Sequence, residues 1–145
     1  MKIHLATDHT GVSHKEALKA YLLEQGMDVV DHGAFEVVDG DDYPDYVLPC
    51  AQAVAADPDN SMGIIFGGSG QGEAMCANRV PGIRCAVFYG GTTDMLTLPR
   101  EHNASNMLSL AARYLTPEEV IEAVRVWLAT PFSGDERHVR RLSKF

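Results

Sequence analysis

Short apolar runs alternate along the chain with segments in which apolar residues recur at helical spacing. Five of these runs have the length and character of buried β-strands: residues 2–6, 27–30, 63–66, 85–88 and 106–110. The intervening segments carry apolar stripes, and the clearest consists of Val120, Ile121, Val124, Trp127 and Leu128. Strands that alternate with helices predict a five-stranded parallel sheet covered on both faces, which is a Rossmann-like three-layer α/β/α sandwich.

Residues typical of helix ends stand at the borders of these stripes. Thr116 precedes Pro117 and lies three residues before Glu119, which is the spacing of a capping box with proline in the first turn. Pro44 suits the first turn of the second helix, and Gly26 follows the first helix where a left-handed residue usually stops one. These signals support the borders that the apolar pattern predicts.

The composition fits one globular domain that spans residues 1–145. The chain has 20 acidic and 12 basic residues, a net charge of −8 and 46% hydrophobic residues, which argues against a disordered chain or a coiled coil. The acidic balance argues against binding to nucleic acid or to an anionic membrane. No apolar run approaches the ~20 residues of a transmembrane helix, and a charge stands too early for a signal peptide. Because the three cysteines form no CxxC pair, we expect reduced thiols and a cytoplasmic protein.

A glycine-rich loop with the sequence GGSGQGE, residues 67–73, follows the third predicted strand. Ligands of parallel α/β sheets bind beyond the carboxyl ends of the strands, and glycines let the backbone approach a ligand closely. The loop departs from both familiar phosphate-binding patterns, because Glu73 stands where the dinucleotide fingerprint needs glycine and where the P-loop needs lysine. A carboxylate beside a triphosphate would be repulsive, so the loop suits a smaller oxyanion.

Several residues in the strand-end loops have both a catalytic and a structural interpretation. Glu73 is either a base or a first-turn acid that interacts favourably with the helix dipole. Ser69 is either a ligand of an anion or part of a tight turn. Asp8 and His9, after the first strand, suit proton transfer to a substrate; alternatively, Asp8 caps the next helix and His9 lies on the surface.

Basic and histidine side chains in the second half of the chain provide further candidates. His102, near the end of the fourth helix, is either a general acid–base group or a histidine favoured by the helix dipole. Arg137 and Arg141 stand four residues apart, and two guanidinium groups on one helix face match a phosphate well. The alternative for these two arginines is a solvated charged tail. Arg113, after the fifth predicted strand, is a further basic candidate, and its alternative is a surface ion pair.

No pattern in the sequence indicates a metal site. Three histidines lack metal-binding spacing, and we expect them to be structural or exposed: His4, His14 and His32. An acidic run lacks the spacing of an EF-hand loop and is predicted to be a solvated loop: Asp39, Asp41, Asp42 and Asp45.

In its motifs and their order, the chain resembles the ribose-5-phosphate isomerase B family, which also includes galactose-6-phosphate and tetrose-phosphate isomerases. The resemblance covers essentially the whole chain and rests on the segments DHTG (8–11), DYPDY (42–46), GGSGQG (67–72), REHN (100–103) and RH (137–138), with further similarity at 77–84. Many members carry a cysteine base where this chain has Gly67. Glu73 is the only titratable residue in the loop, and it matches the base of a second branch that has glycine at that place.

The resemblance implies an aldose–ketose isomerase that interconverts ribose 5-phosphate and ribulose 5-phosphate through a cis-enediolate. It assigns ring opening to His102 together with Asp8, and removal of the C2 proton to Glu73. The developing oxyanion would be held by the backbone amides of residues 68–72 and by the Ser69 hydroxyl. The glycines of the loop would bind the substrate: Gly67, Gly68, Gly70 and Gly72. Two residues would contact the sugar, Tyr43 and Asn103, and four would bind its phosphate: His9, Arg113, Arg137 and Arg141.

The resemblance also implies that no metal or organic cofactor is needed. It implies a homodimer or a tetramer with the active site at the subunit interface, to which the helix bearing His102 and the C-terminal arginines would contribute from the second chain. Two alternatives stay open at this point. One is an isomerase of a tetrose or hexose phosphate, such as erythrulose 4-phosphate, galactose 6-phosphate or allose 6-phosphate; the other is a non-catalytic sugar-phosphate-binding module.

Overall fold

Strands and helices alternate along residues 1–145, all of which are described by a computed structural model. The strands are β1 (Lys2–Thr7), β2 (Asp28–Asp31), β3 (Ser61–Gly67), β4 (Cys85–Phe88) and β5 (Met107–Ala111). The helices are α1 (Val12–Glu24), α2 (Pro44–Ala56), α3 (Gln71–Ala77), α4 (Asp94–Asn103), α5 (Pro117–Ala129) and α6 (Glu136–Leu142).

The five strands form one parallel sheet in the order β2-β1-β3-β5-β4. Side chains of α1, α4 and α5 pack on one face of the sheet, and those of α2 and α3 pack on the other. Strand β1 shows how both faces are filled, because Ile3 and Leu5 join the first cluster while Ala6 joins the second. The predicted fold class is therefore confirmed.

Four of the five strands differ from the prediction by one or two residues at a border, and only β4 has both predicted ends. For β3 and β2 the hydrogen bonds show why. Strand β3 begins at Ser61 rather than at residue 63, because Ser61 and Met62 pair with the first two residues of β1. Strand β2 begins one residue later than predicted, because the amide of Met27 bonds to the carbonyl of Leu22 at 3.0 Å in the turn that ends α1.

The predicted helix ends are confirmed. The Thr116 hydroxyl accepts a hydrogen bond from the Glu119 amide at 3.2 Å, and the Glu119 carboxylate accepts one from the Thr116 amide at 2.8 Å. Pro44 is the first residue of α2. Gly26 follows α1 with φ +72°, the left-handed conformation in which a side chain would be strained.

The three histidines expected to be structural or exposed have partners in the fold. His4 Nδ1 lies 2.9 Å from His32 Nε2, and His14 Nε2 lies 2.8 Å from the carbonyl oxygen of Leu115. Burial lowers the pKa of both His4 and His32, so this pair favours the neutral form.

The cysteines and the helix lengths bear on two further expectations. The chain has three free cysteines, Cys50, Cys76 and Cys85, and no disulfide. None of the helices is both long enough and apolar enough to span a bilayer.

The chain order places a crevice at the carboxyl ends of β1 and β3. Strand β2 lies on one side of β1 and β3 on the other, and the helices that follow β1 and β3 pack on opposite faces of the sheet. In open parallel sheets this change of direction is where ligands bind. The residues that follow these two strands are therefore the first to consider for chemistry.

Candidate active site

Asp8 leaves β1 at the crevice with a buried, hydrogen-bonded carboxylate. It is 7% exposed, and its Oδ1 accepts hydrogen bonds from the amide and hydroxyl of Thr10. Gly11, and not Asp8, is the N-cap of α1. The alternative of a simple helix cap is therefore wrong, although Asp8 does organise the turn that precedes the helix.

The glycine-rich loop after β3 is held by its carbonyl groups. The carbonyls of Gly67 and Gly68 accept from the amides of residues 112 and 113, and that of Gly70 accepts from the Ser109 hydroxyl at 2.7 Å. The amides of Gly68, Ser69 and Gly70 donate to no other group of the chain. Because Gly70 has φ +73°, the loop turns within a few residues and leaves consecutive amides available to an anion.

Ser69 lies at the outer side of this loop. Its hydroxyl accepts a hydrogen bond from the Gln71 amide at 3.3 Å, so the tight-turn interpretation holds, while the side chain remains partly exposed. A cavity of about 390 Å³ opens beside it and is lined also by Gln71, Tyr89 and Tyr114. The hydroxyl can therefore serve the turn and still face a ligand.

Glu73 stands in the first turn of α3 with its carboxylate directed back under the loop. The residue is 5% exposed, and burial raises the pKa of its carboxyl, with a smaller contribution in the same direction from the charge of Asp8. A Cβ atom built on Gly67 would lie 2.0 Å from the Glu73 carboxylate. The carboxylate thus fills the space that a side chain at position 67 would need.

Gly67→Ala is expected to lower the free energy of unfolding by about 1 kcal/mol, the lower end of the cost of overpacking, because the flexible Glu73 side chain can turn away. Urea unfolding of the variant and the wild type measures this. The matched comparison is the same substitution in a Glu73→Ala chain, where the loss should nearly vanish. An equal loss in both backgrounds would rule out the contact as its cause.

Two more predicted site residues contact the same loop. A Cβ on Gly68 would lie 3.0 Å from the guanidinium of Arg113, and one on Gly72 would lie 3.0 Å from the ring of Tyr43. Arg113 is exposed, and Tyr43 is partly buried as the N-cap of α2. The structure therefore brings Glu73, Arg113 and Tyr43 together around the glycine loop.

The acidic run before α2 is not the fully solvated loop that the sequence predicts. The side chain of Asp41 is only 7% exposed, and its Oδ1 accepts hydrogen bonds from His9 Nδ1 at 2.6 Å and from the His9 amide at 3.1 Å. This interaction, chiefly the hydrogen bond, raises the pKa of the His9 imidazole. Asp41 therefore contacts the predicted site residue His9, and the sequence did not reveal this contact because it spans 32 positions of the chain.

Asp8, His9 and Asp41 also lie close enough together to be considered as ligands of a cation. One potential ligand atom from each lies within 4.8 Å of the others. Asp41 Oδ1 is already bound to His9, and Asp8 Oδ1 is bound to Thr10. The hydrogen bonds account for the arrangement of these three side chains without an ion.

The remaining predicted residues form a second cluster around the end of α4 and α6. The rings of His102 and His138 stack with centroids 4.2 Å apart, and Arg137 Nε donates to His138 Nε2 at 3.2 Å. His138 is buried, whereas Asn103, Arg137 and Arg141 are exposed. The sequence marked position 138 only as part of a motif, because a stacking partner on another helix has no local signal.

The two clusters lie at opposite edges of the sheet. His102 and Asn103 end the helix that precedes β5, and Arg84 Nε, just before β4, donates to the Asn103 carbonyl at 3.0 Å, so this cluster sits at the amino ends of the strands. Asp8 and the glycine loop sit at the carboxyl ends. The seven residues of β3 between these edges span about 20 Å. One chain therefore does not bring His102 to Glu73.

Comparison with known proteins gives a consistent result. Residues 3–145 match the family model described as Ribose/Galactose Isomerase. The ribose-5-phosphate isomerase B of Mycolicibacterium paratuberculosis is 39% identical over 142 residues, which cover 98% of this chain and 87% of that protein. A putative sugar phosphate isomerase of Bacillus subtilis is 35% identical, covering 99% of this chain and 94% of its own length.

Solved structures agree over the whole chain. The ribose-5-phosphate isomerase B of Mycoplasma genitalium, with bound ribulose-5-phosphate, is 35% identical with a TM-score of 0.93, covering 99% of this chain and 92% of that one. The corresponding enzyme of Thermotoga maritima is 39% identical with a TM-score of 0.90, covering 99% and 95%. The chain therefore belongs to the ribose/galactose isomerase family.

Proposed function

We propose that this chain is an aldose–ketose isomerase that interconverts ribose 5-phosphate and ribulose 5-phosphate. The observation that carries the proposal is the buried carboxylate of Glu73 beside the unpaired amides of residues 68–70. A base next to an oxyanion site is what proton transfer between neighbouring carbons requires. The names of the relatives at 37–39% identity support the pentose phosphate as substrate.

Glu73 is proposed as the base that removes the proton from C2 of the open-chain aldose. An ordinary glutamate is a weak base at neutral pH, and burial, which raises its pKa, brings it closer to the operating pH. The electron pair of the C2–H bond forms the C1=C2 bond of a cis-enediolate. As this bond forms, the π pair of the C1 carbonyl moves onto O1. Return of the proton to C1, with the hydroxyl proton of O2 passing to O1, leaves O2 as the ketone oxygen and frees the carboxylate for the next turnover.

Packing supports a glutamate base in place of the cysteine found in many members of the family. The Glu73 carboxylate occupies the space into which a side chain at position 67 would project. A cysteine at 67 and this orientation of Glu73 exclude each other sterically. Glycine at 67 and glutamate at 73 therefore make one consistent arrangement, with the base delivered to the same place from α3 instead of β3.

The developing negative charge on the enediolate oxygens would be held by the glycine loop. The amides of Gly68, Ser69 and Gly70 are free to donate. The loop carbonyls are fixed by β5 and the turn that follows it, so these donors need little reorganisation. The Ser69 hydroxyl is proposed as a further donor. The backbone at Gly67 and Gly72 shapes the same pocket.

Ring opening is proposed for His102 together with Asp8, with Tyr43 and Asn103 contacting the sugar. His9 and three arginines, Arg113, Arg137 and Arg141, would bind the phosphate, which guanidinium groups match well. Because His102 and the C-terminal arginines lie at the opposite sheet edge from Glu73, both clusters can serve one substrate only if two chains combine. We therefore place the active site at the interface of a homodimer, or of dimers within a tetramer.

The proposal includes a cytoplasmic protein in which residues 1–145 form one isomerase domain. It requires no metal or organic cofactor, since proton transfer alone balances the reaction. Isomerase activity measured with and without chelator in the assay buffer tests whether a metal is needed.

Turnover of the purified protein on ribose 5-phosphate, beside four- and six-carbon aldose phosphates and with chelator present, tests the proposal. We expect a strong preference for ribose 5-phosphate. Preference for another chain length would keep the mechanism and replace the substrate, while no turnover on any of them would favour a non-catalytic sugar-phosphate-binding module.

A further inference from the structure

The contact between His9 and Asp41 joins the turn after β1 to the irregular segment before α2. A single oxygen, Asp41 Oδ1, accepts from both the backbone amide and the ring Nδ1 of His9. The Asp41 side chain is 7% exposed and that of His9 is 27% exposed. A short hydrogen bond between two largely buried polar groups fixes a ring far better than an exposed contact does.

We propose that Asp41 is a positioning residue, whose carboxylate holds the His9 imidazole with Nδ1 engaged and Nε2 directed to the substrate phosphate. This inference rests on the proposed role of His9 in phosphate binding. An imidazole has two polar ring atoms, and Asp41 occupies one of them. The hydrogen bond from Nδ1–H to the carboxylate fixes the orientation of the ring. Nε2 is therefore the nitrogen that remains for the ligand.

The surroundings of His9 favour its protonated form. Besides Asp41, the ring faces Asp8, whose Oδ2 lies 4.0 Å from Nδ1, and the more distant charge of Asp39. The hydrogen bond to Asp41 is the main cause that raises the pKa of His9. On the far side, Asp41 interacts with Tyr46 of α2, whose pKa is raised mainly by its own burial and then by the charge of Asp41. A protonated imidazole can donate from Nε2 to a phosphate while Nδ1–H donates to Asp41.

Protonated His9 in turn stabilises the buried carboxylate of Asp41. Its second oxygen, Oδ2, is buried and makes no hydrogen bond. A buried carboxylate that is only half satisfied costs free energy unless a cation compensates it. The pair is therefore a reciprocal arrangement, in which His9 neutralises Asp41 and Asp41 orients His9.

The test compares Asp41→Asn with Asp39→Asn, which removes the same charge from an exposed position two residues away. The pKa of His9 is measured by NMR on its ring protons, assigned by their loss in His9→Asn, and inorganic phosphate serves as the ligand. We expect Asp41→Asn to lower the pKa of His9 and to weaken phosphate binding by about three- to tenfold, a part of what a charged hydrogen bond contributes. Asp39→Asn should change both much less.

A double-mutant cycle separates positioning from general disruption. In a His9→Asn background, Asp41→Asn should cause no further loss of phosphate affinity. Equal effects of the two aspartate variants, or an undiminished effect of Asp41→Asn without His9, would overturn the inference. If Asp41→Asn does not fold, Asp41→Glu replaces it in the same cycle, since it keeps the charge and displaces the carboxylate by one methylene.

Isomerase kinetics provide a readout that distinguishes this inference from the proposed function. Asp41→Asn should raise KM for the sugar phosphate while kcat stays within about twofold, because binding and not proton transfer is affected. KM of the wild type should rise once the pH exceeds the raised pKa of His9, and this rise should begin at lower pH in the variant. Failure of the wild type to isomerise any sugar would refute the proposed function, whereas the NMR and phosphate measurements would still decide the role of Asp41.

Discussion

Glu73→Gln is expected to lower kcat by about 10²–10⁴-fold while KM changes little, because general base catalysis contributes that much to a rate. The amide fills the same space beside Gly67 but cannot accept the C2 proton. Steady-state kinetics on ribose 5-phosphate measure the effect. Glu118→Gln, at an exposed position on α5 that is not among the proposed site residues, makes the same chemical change and should leave kcat unaltered.

The pH dependence of kcat provides a second test of Glu73 as the base. A base must be deprotonated, so kcat falls as the pH drops through the pKa of Glu73. Since burial raises that pKa, the acid limb should lie above the ordinary range of glutamate. Near-normal turnover in Glu73→Gln, or an acid limb at an unshifted pH, would remove Glu73 from the role of base.

Arg137→Ala is expected to raise KM for the sugar phosphate by roughly 10–150-fold, the equivalent of one charged hydrogen bond of ~1.5–3 kcal/mol. Arg137 is exposed in α6, with its guanidinium 3.7 Å from Asp135 and 3.2 Å from His138. These two contacts occupy only part of the N–H donors of the Arg137 guanidinium, so most of these donors are available to a phosphate. Little change in kcat is expected, because the phosphate takes no part in the proton transfer.

Arg125→Ala is the control for this variant. It removes the same charge from α5, where Arg125 is paired with Glu122 on the surface. The loss of such an exposed pair has little effect on stability and should leave KM unchanged. If Arg137→Ala and Arg125→Ala had the same KM for the sugar phosphate, Arg137 would have no part in phosphate binding.

Much of the fold follows from local patterns in the sequence. The strands are short and mostly apolar, and residues such as Thr116 and Gly26 mark the end of a helix, so these features are visible without tertiary information. The location of Asp8 and of the glycine loop follows from a general rule, because parallel sheets bind ligands beyond the carboxyl ends of their strands. The segment between β2 and α2 contains a run of aspartates, and the sequence could not distinguish Asp41 from its exposed neighbours.

The interactions that complete the site depend on contacts between distant positions. The sequence shows glycine at 67 and glutamate at 73, yet only the structure shows that the carboxylate fills the space beside the glycine. The stack of His102 on His138 likewise joins two helices, and no periodic pattern in the sequence indicates it. Such contacts are set by packing, which neither propensity nor spacing encodes.

The separation of the two clusters gives the proposed dimer its physical basis. Glu73 and the loop amides lie at the carboxyl ends of the strands, while His102, Arg137 and Arg141 lie at the amino ends. The length of β3, about 20 Å, lies between these two edges, and a substrate as small as a pentose phosphate cannot bridge it within one chain. Association of two copies can bring the two clusters together.

Activity of a hybrid dimer tests the central claim most directly. A Glu73→Gln chain and a His102→Asn chain are coexpressed with different affinity tags, and the hybrid is isolated on both tags. If each site takes Glu73 from one chain and His102 from the other, one of the two sites in the hybrid is intact, and it should turn over ribose 5-phosphate at about half the wild-type rate per dimer. Each parental homodimer should be nearly inactive. A hybrid no more active than its parents, or a wild-type monomer that is fully active, would contradict an active site shared between two chains.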